Sequence, residues 1–144
     1  MQMTLGGTLA GLATTSMELA ASRSALAQSQ LSPDAALQEL VAGNRRFAAN
    51  RPTAHEQDLA IIRQNTEEKQ ELFAAVLSCA DSRVPVELVF DQSIGHIFVT
   101  RVAGNVATSE IIARLEYGAA VLATKVILVL GHGNCGAVKA TIGG

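Results

Sequence analysis

Tryptophan is absent from this chain, and the aromatic residues, one tyrosine and four phenylalanines, make up 3% of it. So few rings exclude a surface built to stack nucleic-acid bases. An excess of one charge sign is also missing: 11 basic against 13 acidic residues leave a formal net charge of −2. That balance gives no electrostatic footing on a phosphate backbone, so nucleic acid is not an expected partner. Long apolar runs are missing too. The best candidate, Thr4 to Thr15, is uncharged but broken by glycines and threonines, which excludes a stable membrane span. Cysteine is scarce, with two in 144 residues, Cys79 and Cys135. A framework of several disulfides is thereby excluded; a single bridge or a shared ligand role is what two cysteines leave open.

What is present is a chain 49% apolar, enough for the core of one domain. The first 30 residues stand apart: Met1 to Gln30 is rich in Ala, Gly, Ser, Thr and Leu. Ala25-Leu26-Ala27 before Gln28 fits an A-x-A cleavage site and favours an exported or periplasmic location over a cytoplasmic one. The basic residues that open such a signal are lacking, and a weakly helical or disordered extension is the alternative. Residues 31–144 are expected to form the domain proper.

That domain begins with Ser32-Pro33-Asp34, a capping hydroxyl, a first-turn proline and an acid suited to a helix start. Leu37, Leu40, Val41 and Phe47 follow at helical spacing and predict the buried stripe of an N-terminal helical arm; Arg45 and Arg46 read as its solvated face. Asp58 to Gln64 reads as a short helix, and His55 as a surface bystander. Three apolar strands are then predicted, Leu72–Ser78, His96–Val102 and Val126–Leu130. Between them lie a helix over Val84–Phe90, a loop over Ala103–Val106, and a helix capped by Thr108 or Ser109 with Ile111, Leu115, Ala119 and Leu122 inward. A last helix is predicted over Asn134–Ile142. Strand and helix alternate, which argues for an α/β fold with a Rossmann-like parallel sheet flanked by helices. Uninterrupted apolar strands predict helices on both faces. Ligands of such sheets sit beyond the carboxyl ends of the strands, where the winding reverses.

The chemistry-bearing residues gather at those ends. The first strand runs into Ser78-Cys79-Ala80-Asp81-Ser82-Arg83, and the third into Gly131-His132-Gly133-Asn134-Cys135-Gly136. If the two strands are neighbours, two thiols, one imidazole and one carboxylate share a crevice, a donor set suited to tetrahedral zinc. Arg83 is placed to grip Asp81 as a planar fork.

The sequence Cys79-x-Asp81-x-Arg83, followed by His132-x-x-Cys135, resembles the β-class carbonic anhydrases, from about Leu31 onward. The resemblance implies one Zn2+ held by Cys79, His132 and Cys135, with Asp81 either held by Arg83 or taking the fourth position. It implies reversible hydration of CO2 to bicarbonate, with Asp81 and Arg83 catalytic. It also implies a homodimer or higher homo-oligomer, with the N-terminal helix packing on the partner. Gly104, Asn105 and Gly136 are expected pocket residues. No proton shuttle is identified; His96, which opens the second strand, is a weak candidate and reads rather as structural or exposed. Members of that family continue further, so the sheet is expected to be incomplete at its carboxyl end. An inactive zinc-binding homologue is therefore one alternative. Another is a dinucleotide-binding loop, because residues 131–136 also satisfy G-x-G-x-x-G after a strand. The acidic ribose partner that such a loop requires roughly 20 residues later is lacking.

Overall fold

The computed structural model describes residues 29–54 and 71–143. The signal-like segment up to residue 28, His55 and the short helix expected over Asp58–Gln64 fall outside them. The first described helix, α1, is Pro33–Ala48. Ser32 caps it as predicted, its hydroxyl accepting a hydrogen bond from the Ala35 N–H at 3.2 Å.

The buried stripe of α1 differs from the expected one. Ala36, Leu40 and Gly43 face the core, whereas Leu37 and Phe47 are exposed. Leu40 is buried as expected; at Gly43 the smallest residue wins because α1 packs there against main chain. A Cβ on Gly43 would stand 1.7 Å from the Phe90 carbonyl oxygen, so only glycine permits the approach. Arg46 also departs from its solvated reading. Its Nε donates to Asp91 Oδ2 at 2.5 Å, and that carboxylate is fully buried. The Thr53 and Ala54 amides each donate to Asp91 Oδ1 at 2.9 Å. Burial pushes the Asp91 carboxyl up, but the donors outweigh it and hold its pKa at about 2.

Three strands follow: β1, Ala74–Ser78; β2, Ile97–Arg101; and β3, Val126–Leu130. All pair in parallel in the order β2-β1-β3, with β1 central. The register sets Ser78 opposite both Arg101 and Leu130, so the three carboxyl ends are level. Between β1 and β2 lies α2, Val86–Val89, shorter than expected, with Pro85 as its cap rather than inside its first turn. A 3₁₀ turn, Ala103–Asn105, and α3, Ser109–Ala120, lead to β3; α4, Gly136–Gly143, follows it. Along α3, Ile111 and Gly118 are buried and Ala119 is exposed. Gly118 takes the expected place of Ala119 because a Cβ there would already meet Phe98 at 3.0 Å.

The core lies between α1, α2 and one face of the sheet, around Leu40, Phe73, Val76, Val86 and Phe90. The expectation of cover on both faces holds for β1, buried throughout. It does not hold for β3, where Val126, Leu128 and Leu130 pack on the core but Ile127 and Val129 are 48% and 62% exposed. No described helix is long and apolar enough to cross a membrane.

Candidate metal centre

Cys79 is the first residue past β1, and its thiol is buried. The neighbouring strand shapes its surroundings. Val102 extends the ladder by one step, its N–H bonding the Ser78 carbonyl at 3.1 Å. The chain then turns through Gly104 and Asn105, both at positive φ. That turn aims the Gly104 N–H at Cys79 Sγ, 3.4 Å away. This N–H is the main reason that the Cys79 thiol is lowered to about 7; an Asp81 main-chain hydrogen bond and the His132 side chain assist, and burial opposes.

Two residues on, Asp81 is gripped by Arg83 as the sequence suggested. Arg83 Nε and Nη2 donate to the two carboxylate oxygens at 2.9 and 2.7 Å, and the Arg83 amide adds a third bond at 2.9 Å. These bonds hold the Asp81 carboxyl well below the usual carboxylate range and raise Arg83. Arg83 Nη2 also reaches the Asn134 carbonyl at 3.2 Å, tying the first motif to the second.

The second motif follows β3. Asn105 Nδ2 donates to the Leu130 carbonyl at 2.8 Å and anchors the strand end. His132 Nδ1 lies 3.1 Å from the Gly133 carbonyl. A carbonyl only accepts, so Nδ1 carries the proton of the neutral ring and Nε2 is left with its lone pair. Nε2 is buried and has no hydrogen-bond partner among the described residues. It lies 4.0 Å from Asp81 Oδ2, and Cys135 Sγ is 3.9 Å from Cys79 Sγ.

The donor atoms of Cys79, His132 and Cys135 all fall within 4.8 Å of one another. Zinc–sulfur bonds of about 2.3 Å at a tetrahedral angle place two sulfurs roughly 3.8 Å apart. The sulfur spacing and the orphaned imidazole nitrogen therefore fit a metal ion. Asp81 stands beside this cluster in the grip of Arg83.

A cavity of about 100 Å³ opens on the cluster, lined by Cys79, Gly104, Asn105, Gly131, His132, Cys135 and Val138. Gly104 and Asn105 are thus in the wall as expected. Gly136 is not: it opens α4, and Val138, two residues further along and so on the opposite face of the helix, takes the wall position. His96 is not at this centre. It precedes β2 at the amino ends of the strands, edge-on to Phe73 at 6.3 Å, and lines a separate cleft of about 380 Å³ with Glu39 and Gln92. Within one copy of the chain, the length of the sheet therefore separates His96 from the cluster. Sequence reasoning passed over Arg101, whose guanidinium donates to the Cys79 carbonyl at 2.9 Å and to the Asp81 carbonyl. A charged residue closing an apolar strand at the ligand-binding end was the available signal.

The sequence profile of the carbonic anhydrase family matches residues 74–144. Over this region, the chain belongs to the β-class carbonic anhydrase family. The carbonic anhydrase of Mycolicibacterium smegmatis and carbonic anhydrase 2 of Mycobacterium tuberculosis are each 43% identical to it over 110 residues, 76% of this chain and 53% of theirs. The chain thus spans about half the length of the curated relatives it matches. Among solved structures, the Coccomyxa β-carbonic anhydrase in complex with acetazolamide superposes with a TM-score of 0.51 at 32% identity, over 74% of this chain and 47% of that one. The β-carbonic anhydrase of Aspergillus fumigatus gives 0.54 at 25% identity, over 74% and 50%. This membership sets aside the dinucleotide reading of residues 131–136, whose His132 and Cys135 turn to Cys79.

Proposed function

We propose that this carbonic anhydrase domain binds one zinc ion and catalyses the reversible hydration of CO2 to bicarbonate and a proton. The observation that carries the reading is the convergence of two thiols and an unpartnered imidazole nitrogen beside a carboxylate held by arginine. Cys79, His132 and Cys135 would hold the metal. When bound, zinc supplies Lewis acidity, which makes water a nucleophile at neutral pH.

The chain's own residues supply the rest. Arg83 keeps Asp81 anionic and away from the donor cluster. Asp81 Oδ2 then accepts a hydrogen bond from the attacking water without keeping its proton, because its carboxyl is held so far down; the proton that hydration releases passes to solvent. The lone pair left on the water oxygen is thereby turned toward the carbon of CO2. A cavity of about 100 Å³ is far below the range of about 300–1,000 Å³ used for drug-sized ligands, which suits a triatomic substrate. Leu37 and Phe47, turned outward on α1, support a homo-oligomer in which this helix packs on a second copy.

Zinc analysis with stopped-flow CO2 hydration on the purified chain, alongside its oligomeric mass, tests the reading. About one zinc per chain with hydration above the uncatalysed rate is expected. Zinc without hydration would leave a metal-binding homologue, and absence of zinc from zinc-supplied, freshly reduced protein would reject the centre itself.

A further inference from the structure

Arg101 ends β2 as an exposed residue, and its side chain turns across the end of β1. Its Nε donates to the Cys79 carbonyl at 2.9 Å, and its Nη2 donates to the Asp81 carbonyl. Both lie beyond Ser78, the last residue of β1 and the register partner of Arg101. The ladder continues only through Val102, whose carbonyl accepts from the Ala80 N–H at 3.2 Å. That bond holds the Cys79–Ala80 peptide from its amide side; beyond it sheet pairing no longer orients the peptide of Asp81, whose carbonyl accepts from the Val84 N–H at 3.2 Å. The guanidinium holds both carbonyls. A held carbonyl fixes the ψ angle of its residue, and with it the direction in which that residue's side chain leaves the backbone.

We propose that Arg101 is a positioning residue of the metal centre. It clamps the main chain at Cys79 and Asp81, so that thiol and carboxylate project into the cavity at the spacing the centre needs. The inference rests on the metal reading given above and assigns a task distinct from that of Arg83. Arg83 holds the Asp81 carboxylate; Arg101 holds the backbone that carries it. Spanning two carbonyls needs a planar fork with several fixed donors, whereas an ammonium is a single flexible point. Hydrogen bonds from a charged donor are also the stronger kind. Groups that orient metal ligands from outside the coordination sphere typically change metal affinity or activity by about 10- to 100-fold when removed.

The test uses the full chain as Arg101→Ala and Arg101→Lys. Zinc affinity is measured by competition with a chelator of known strength, and the ligand field from the visible spectrum of the cobalt(II)-loaded protein. Amide hydrogen exchange is followed in metal-free protein at Arg83 and Val84, whose N–H groups bond the Asp81 side chain and carbonyl. For Arg101→Ala, zinc affinity should fall about 10- to 100-fold and the cobalt bands should shift. Protection at Arg83 and Val84 should drop while Val76 and Leu77 keep theirs. Arg101→Lys should resemble Arg101→Ala. Parental affinity with parental exchange in Arg101→Ala overturns the proposal, as does full rescue by lysine, which would make charge rather than the fork the cause. Loss of protection across all of β1 would assign Arg101 to the fold instead and also overturns it. If the parent takes up no metal, the functional reading fails, and the exchange measurement alone decides the clamp.

Discussion

The loop after β1 and the loop after β3 each deliver a thiol to the same cavity, yet they are held by different means. Cys79 is 3% exposed. Its thiol receives the Gly104 N–H, its carbonyl receives Arg101, and its neighbour Asp81 is fastened by Arg83. Around Cys135 the loop is open: Gly131, Gly133, Asn134 and Gly136 are exposed. Asn105 reaches it from the turn after β2, and Arg83 from the first loop. The first loop is a fixed platform, and the second is docked onto it. The centre therefore depends on ties between the loops as much as on the ligands, and the following substitutions probe that dependence.

The largest effect should come from the ligands, and it should be the same in both loops despite their unequal burial. Cys79→Ala and Cys135→Ala should each lower zinc affinity by more than about 100-fold, because each removes a whole donor rather than an orienting group. A variant that keeps parental zinc by equilibrium dialysis would remove its loop from the centre. Next comes Arg83→Ala, which cuts the bridge between the loops and frees Asp81. Zinc content should stay at the parent value, while CO2 hydration falls roughly 100-fold from misplacement of the orienting carboxylate. Full activity with zinc retained would show that the bridge does nothing for catalysis.

Asn105→Ala sharpens the comparison from the docked side. It leaves the Leu130 carbonyl without its donor, and urea denaturation should show a loss of about 1 to 2 kcal/mol. An unchanged midpoint would mean that the second loop needs no such anchor. The smallest effect is a pH dependence confined to the platform. The folded-state pKa of Cys79 is about 7, below its unfolded value, so folding favours the thiolate. That contribution is complete above the unfolded pKa and is lost as pH falls through about 7. In metal-free Cys135→Ser protein, where Cys79 is the one thiol, thiolate absorbance should titrate with a midpoint near 7. A midpoint at the ordinary thiol value of about 8.5 would show that Gly104 gives no support.

Much of the platform was legible in the sequence. Pure apolar strands run straight into both motifs, and a parallel sheet brings strand ends level, so Cys79 and His132 had to meet once β1 and β3 were neighbours. What escaped reading depends on contacts far apart in the chain. Arg46 looks solvated among its helical neighbours, but its partner Asp91 is 45 residues away. Leu37 and Phe47 fit a helical stripe better than Gly43 does, but close backbone approach rewarded the missing side chain. The apolar run of β3 reads as doubly covered, because composition records what a strand would bury and not which of its faces the described residues cover. Val138 displaced Gly136 from the cavity wall because a helix starting at Gly136 carries that residue outward and returns Val138.

X-ray absorption at the zinc edge, on this chain reduced and supplied with zinc, addresses the central claim most directly. The account predicts a nearest shell with two sulfurs at about 2.3 Å and one imidazole nitrogen at about 2.0 to 2.1 Å, and loss of one sulfur in Cys79→Ala or Cys135→Ala. A shell of oxygen and nitrogen alone would contradict it, as would zinc-free protein in which Cys79 and Cys135 are joined as a disulfide.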